Sequence, residues 1–345
     1  MVSITIVVAE SKASRAAAGK ASTRGSVTCS VPNRKFAGAS LRVSLYSLPS
    51  PLASLAAAAA KEANGEGRLY RLTRNDAPAN FLFGTLHVTD PRVLALPAAA
   101  REAFDSATTM VIETTDLLDE RKMAALILSR PDLMNLPDGQ TLPDLFSGSN
   151  ATLVQDGLEA SGMPAATVRT MQPWFLATGL MMPACEQQRI ADGAAILDMD
   201  LAARAQAAGK PVLGLETGAE QLEALASMPM QDQADMLLSV LQNRDRMDDL
   251  FETMTAIYLR GEIATIVPAL EEIAPTSEDS GRSAEIWQAF DERIVRQRNH
   301  LMRQRAEPIL AKGGAFVAVG AQHLIGAEGL VELFRQDGWT VERLD

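Results

Sequence analysis

FLFGTLHV, residues 81–88, runs apolar, turns on a glycine and then presents a histidine. AFVAVGAQHLIG, residues 315–326, repeats the design, so that His87 and His323 each follow a glycine (Gly84, Gly320) by three residues. The chain holds only three histidines, and these two stand 236 positions apart. The surroundings match as well. After His87 come the helical stretch LPAAAREAFDSA and the apolar, β-branched run TTMVIET, which carries Glu113 near its end; after His323 come the helical EGLVELFRQDG and WTVERL. Two βαβ-like units of one design predict parallel strands in a single sheet, with both histidines at carboxyl ends of strands, where open α/β sheets form their sites.

Outward from these units, LYRLTR (residues 69–74) and the turn Asn75-Asp76-Ala77-Pro78 predict a strand leading into the first unit. Between the units the pattern is helical. DERKMAALILS, PAATVRTMQPWFLATGLMMPACEQQ and AAILDMDLAARAQAAG fit helical spacing. The last closes on Gly209 ahead of a short strand, KPVLGLE, ending in Glu216. Residues 221–260 and 280–312 are long and amphipathic. The expected architecture is α/β: a central sheet built from an N-terminal and a C-terminal βαβ-like unit, with a mostly helical insert at about 118–312.

A glycine ending a buried strand lets the backbone turn tightly or approach a ligand, having no Cβ to clash. A histidine three residues on stands at the rim, able to bind a metal, move a proton or donate to an anion. Two such histidines and a glutamate from a third strand end make a three-ligand site that leaves a position for water. The alternative is that each histidine is a hydrogen-bonded structural residue, which suits a single Gly-x-x-His better than a duplicated one. Glu113 and Glu216 both end apolar runs, where a carboxylate serves equally as surface termination. Arg298-Asn299 reads from the residues alone as the polar face of a helix, and His300 as exposed and idle. LMMPAC (180–185) reads as core filling, and Trp174-Phe175 after Pro173 as a helix start buried in the core. No P-loop, dinucleotide fingerprint, His-Glu-x-x-His helix or Gly-x-Ser-x-Gly elbow is present.

Charge divides the chain. Residues 1–64 hold eight Lys or Arg and two acids, which leaves −17 of the formal −11 total to residues 65–345. An acidic body argues against nucleic acid as a partner. The head is expected to be a basic, Ala/Ser-rich leader. Its order of basic, apolar and small-residue stretches matches a signal peptide, which places the protein in the periplasm or outside the cell with a mature start near Lys61. A disordered basic tail on a cytoplasmic protein is the alternative. No run approaches the roughly 20 apolar residues that span a bilayer. The two cysteines, Cys29 and Cys185, fall on opposite sides of the divide, so removal of the head would leave Cys185 without an internal partner.

Taken together, the chain resembles the TraB/GumN family, related to the Tiki metalloproteases of animals. The resemblance is carried by Gly84-Thr85-Leu86-His87, Glu113, Pro173-Trp174, Asp198 ahead of Gly209-Lys210-Pro211, Leu215-Glu216-Thr217, Arg298-Asn299 and the closing VGAQHLIGAEGLVELFRQDGWTVERL. It covers roughly residues 66–345. It implies one α/β domain with the paired motifs and a glutamate meeting in one active site. His87, His323 and Glu113 would be the metal ligands, and Glu113, Glu216, Arg298 and Asn299 the accompanying catalytic positions. The implied cofactor is a divalent ion (Mn, Co or Zn), the implied substrate a peptide or protein, and the expected activity metal-dependent hydrolysis. Two alternatives stand beside it: a non-catalytic haem-, metal- or peptide-binding protein, and a metal-free, esterase-like hydrolase. Nothing in the residues defines an oligomeric state. If the site is shared, the two rings stand about 4–8 Å apart, given metal–nitrogen bonds of about 2.0–2.1 Å.

Overall fold

A computed structural model describes Ala59 and residues 61–164, 166–275 and 280–345. The signal-peptide and tail expectations for the head lie outside these residues, apart from its last few positions.

Six strands form one sheet: β1 (Leu69–Thr73), β2 (Asn80–Thr85), β3 (Thr109–Ile112), β4 (Val212–Gly214), β5 (Ala315–Gly320) and β6 (Thr340–Arg343). Their order is β4-β3-β5-β2-β1-β6. The expected strand–turn–strand at the start is an antiparallel hairpin pairing Leu69 with Phe83. β2, β5, β3 and β4 run parallel, with Thr85 opposite Gly320 and Ile112 opposite both Ala318 and Gly214. All four carboxyl ends therefore open on one edge. The α/β expectation holds, with one difference in detail: the units interleave. β5 lies between β2 and β3, so Glu113 extends the neighbour of the second motif's strand rather than of the first's. The reason is in the strand itself. Every residue of β5 is buried, and a six-residue run without a polar side chain suits the position that has a neighbour on each side and a covered face above and below.

Alternation along the strands builds two cores. Phe83, Met110, Ile112, Phe316 and Ala318 point to one face, where they meet α1 (Ala98–Ser106) and helices of the insert. Leu82, Val111, Val317 and Val319 point to the other.

The middle segment is helical, as expected, but more broken than its periodicity suggests. Its helices are α2 (Glu120–Ser129), α3 (Gly148–Ala160), α4 (Pro173–Leu180), α5 (Ala184–Ala191), α6 (Leu197–Ala207), α7 (Gly218–Ala226), α8 (Met230–Gln242), α9 (Met247–Leu259), α10 (Ile266–Ile273), α11 (Ser280–Phe290) and α12 (Gln297–Leu310); α13 (Leu330–Gln336) follows β5. Proline explains several of the breaks. Pro173 opens α4 at a position where its missing N–H costs nothing, and Pro183 and Pro229 sit at the N-caps of α5 and α8. Trp174 is fully buried, as its helix-start reading requires. The chain is continuously helical from Ser280 to Leu310, where a π-helix, Asp291–Arg296, joins α11 to α12. Cys185, in α5, does not carry a free thiol; Cys29 lies outside the described residues. No helix among the described residues is long and apolar enough to cross a membrane.

Candidate active site

Everything at the sheet's carboxyl edge converges on Glu113. It leaves the end of β3, is 7% exposed, and accepts from the Gly320 N–H at 2.7 Å through Oε1. His87 Nε2 lies 3.9 Å and His323 Nε2 3.7 Å from that same oxygen. The two imidazoles can thus be no further apart than the sum of those distances, which falls below the upper limit expected for a shared site. Glu113 Oε2 accepts from Arg298 Nη2 at 2.6 Å and Gln221 Nε2 at 3.0 Å.

Each ring is oriented from behind. His87 Nδ1 lies 2.8 Å from Asp198 Oδ2, and Thr85 Oγ1 donates to Asp198 Oδ1 at 2.6 Å. Because a carboxylate only accepts, His87 Nδ1 carries a proton and donates to Asp198, and Nε2 is turned toward Glu113. Two residues on, Thr89 fastens the loop: its N–H and hydroxyl both donate to Glu186, which forms a buried ion pair with Arg189. His323 Nδ1 lies 2.7 Å from Asn299 Oδ1, while Asn299 Nδ2 donates to the Glu328 carbonyl at 2.8 Å. The amide oxygen accepts from Nδ1, which leaves His323 Nε2 unprotonated and able to accept from Arg298 Nη1 at 3.3 Å.

The motif glycines do different work. A Cβ on Gly320 would stand 3.0 Å from His87 Nε2, 3.3 Å from Glu113 Oε1 and 3.5 Å from His323 Cδ2, so this glycine keeps the centre of the cluster open. A Cβ on Gly84 would instead meet Leu324 Cδ2 at 3.0 Å and Ala321 Cα at 3.1 Å. Gly84 lets the two motifs' turns pack against each other.

The electrostatics are unequal. Burial works against charge on Glu113, but Arg298, then His323 and His87, and the Gly320 N–H hold its carboxyl well below the usual range. Burial raises Glu216, and the attraction of Arg298 does not fully offset it. Glu216 is therefore the carboxylate with the greater proton affinity. Burial, reinforced by Arg298, lowers His323 to about 3, so its ring stays neutral. For His87 burial is outweighed by Asp198, and its proton affinity is raised.

Several readings of the residues alone are corrected here. Glu113 and Glu216 do not terminate a surface: they are 7% and 5% exposed. Arg298 and Asn299, at 5% and 0%, are not a solvated polar face. Instead, Arg298 Nε lies 3.1 Å from both Glu216 oxygens, and Asn299 orients His323. His300 is half exposed and paired with Glu328 at 3.0 Å. Asp198, which carried part of the resemblance but no expected role, orients His87. An acid in a helix's first turn looks like a partner for the helix dipole, and only the folded contact separates the two uses. Gln221, on α7, carries no sequence signal at all. A cavity of about 110 Å³ lined by Met181, Phe251, Trp287 and other apolar groups lies within the helical insert, and none of the cluster's residues line it.

Two histidines, two buried glutamates and a buried arginine thus meet at the carboxyl edge of one interleaved α/β sheet. The chain belongs to the TraB/PrgY/gumN family, which matches residues 69–343. It is similar to a Metalloprotease TIKI homolog of Nematostella vectensis, 25% identical over an alignment of 322 residues that covers 79% of this chain and 66% of that protein. It is also similar to Metalloprotease TIKI1 of Danio rerio, 23% identical over an alignment of 308 residues that covers 77% of this chain and 61% of the relative. The chain thus spans less than two thirds of each relative's length. No solved structure matches it.

Proposed function

We propose that this chain is a divalent-metal-dependent hydrolase acting on peptide bonds. The observation that carries the proposal is the convergence of two imidazole Nε2 atoms on one oxygen of an ionised, buried glutamate. Among the described residues, no group of three or more His, Cys, Asp or Glu side chains is drawn in to hold a metal. The donor set nevertheless fits one. Donors on an ion with bonds of about 2.0–2.2 Å stand about 3.3–3.6 Å apart, slightly inside the spacings of 3.9 and 3.7 Å seen here. Both rings also have the outer partner that metal-bound histidines require. His87, His323 and Glu113 would hold the ion, and Mn, Co or Zn suits two imidazoles and a carboxylate. When bound, it would supply an acidified water and a polarised carbonyl.

The chain's own groups supply the rest. Asp198 and Asn299 lock the rings, and Arg298 keeps Glu113 ionised. Glu216, whose proton affinity burial has raised, is the natural acceptor for a proton from the attacking water. The names of the two relatives support a peptide or protein substrate. If Asp198 acts by orienting His87, Asp198→Ala should weaken metal binding about 10–100-fold, with the fold kept. Unchanged affinity by calorimetry would remove that role.

A metal-free hydrolase with His87 as base is favoured by one observation, the Asp198–His87 pair, which resembles the orienting carboxylate of a general base. A peptide-library cleavage assay with Mn²⁺, Co²⁺ or Zn²⁺ separates the readings. Cleavage abolished by a chelator supports the proposal, chelator-resistant turnover supports the metal-free enzyme, and no cleavage with the ion bound supports a binding protein. We also propose that the protein acts outside the cytoplasm, on the strength of the basic, apolar and small-residue order within residues 1–64, which resembles a signal peptide. Native material whose N-terminal sequence begins at Met1 would contradict this.

A further inference from the structure

A guanidinium carries five N–H groups, and on Arg298 every one is spoken for. Nε faces both oxygens of Glu216 at 3.1 Å. Nη2 donates to Glu113 Oε2 at 2.6 Å and Glu216 Oε2 at 2.7 Å. Nη1 donates to the Ile294 carbonyl, in the π-helix, at 3.0 Å and reaches His323 Nε2 at 3.3 Å. In this state Arg298 has no donor left for a substrate oxygen.

The last contact differs from the others. Four of the five donors go to oxygens that lie outside the proposed donor set or, at Glu113 Oε2, use the oxygen turned away from the imidazoles. The fifth goes to the lone pair of His323 Nε2, which Asn299 has made the ring's bare nitrogen. That lone pair is the one a metal ion needs, so it has two claimants. Arginine cannot yield by losing its proton, and a second positive charge a few ångströms from the guanidinium is repelled in a buried site.

Resting on the hydrolase reading of this same site, we propose that Arg298 is a built-in competitor of the divalent cation at His323 Nε2, and that its Nη1 donor becomes available to a substrate oxygen only when a cation has taken that lone pair. Arg298 then ties the two events together: without the ion the site is closed by its own arginine, and with the ion it gains a donor for the charge that develops on the carbonyl oxygen.

The competitor role predicts an effect opposite in sign to that of an orienting residue. Removing Asp198 should loosen metal binding, whereas removing Arg298 should tighten it. Arg298→Met alone also removes a buried positive charge, so the informative variant is Arg298→Met with Glu216→Gln. The wild-type trio of Arg298, Glu113 and Glu216 carries a formal −1, and so does the double variant, leaving the freed lone pair as the main change. With Zn²⁺ titrated by calorimetry into protein whose fold is checked by circular dichroism, the double variant should bind at least about tenfold more tightly. Equal or weaker binding, with wild-type binding intact, overturns the inference alone. Absence of binding in both proteins removes the metal reading and the inference with it. A second measurement needs no variant. In ¹⁵N-arginine spectra of the wild type, the Arg298 Nη1 protons should exchange slowly with water before Zn²⁺ is added and faster at saturation. Exchange unchanged at saturating Zn²⁺ overturns the proposal.

Discussion

Gly320→Ala should leave a folded protein with almost no activity. Gly320 has φ −52°, a backbone conformation that alanine adopts freely, so the cost is not strain of the main chain. The cost lies in where the methyl group goes. It would sit 3.0 Å from His87 Nε2 and 3.3 Å from Glu113 Oε1, in the space the three side chains share. Overpacking of this kind costs about 1–3 kcal/mol of stability. The displacement of His87 and Glu113 should cost about 10²-fold or more in kcat/KM, because reacting groups tolerate misplacement poorly. Thermal melting and steady-state cleavage on the same preparation check both halves. A fully active Gly320→Ala protein would show that the cluster is not where the chemistry occurs.

Glu113→Gln should be nearly as severe. Its carboxylate accepts from the Gly320 N–H, Arg298 and Gln221 and faces both imidazoles. An amide offers one acceptor oxygen to three donors and turns its own N–H₂ against at least one of them. Loss of the negative charge also removes what offsets Arg298 on that side, leaving the guanidinium to Glu216. Activity should fall about 10²–10⁴-fold, the range for removing a positioned proton-transfer or charge-stabilising group. Wild-type turnover in the variant, with the fold shown intact by circular dichroism, would take Glu113 out of the mechanism.

How much of this was legible in the sequence depends on the range over which each signal acts. The duplicated Gly-x-x-His was readable because strand, glycine, histidine and helix lie within one local unit, and the edge on which both histidines emerge follows from βαβ geometry. Glu113 and Glu216 were readable as positions, since each interrupts or ends an apolar run. Their burial was not, because it depends on Arg298, which approaches from a helix more than 80 residues away from either in sequence. The apolar run of β5 marks it as an interior strand, but its insertion between β2 and β3 in particular is a long-range pairing that no local pattern encodes. Residues 280–312 show the opposite limit. The amphipathic pattern predicts a helix correctly, but the π-helix at Asp291–Arg296 precedes Arg298 and Asn299 directly, and a pattern read at uniform helical spacing misplaces the faces beyond it. Only the resemblance pointed to these two residues. Asp198 lay in the same blind spot: its residue type suits a helix start and its use is tertiary.

The central claim is that His87 and His323 serve one metal ion. Metal content of purified wild type, His87→Ala and His323→Ala, measured by elemental analysis after equilibration with one divalent ion and removal of the excess, tests it most directly. One ion per wild-type chain, lost in both variants while the fold is kept, is the predicted result; unchanged metal content in both variants would contradict it.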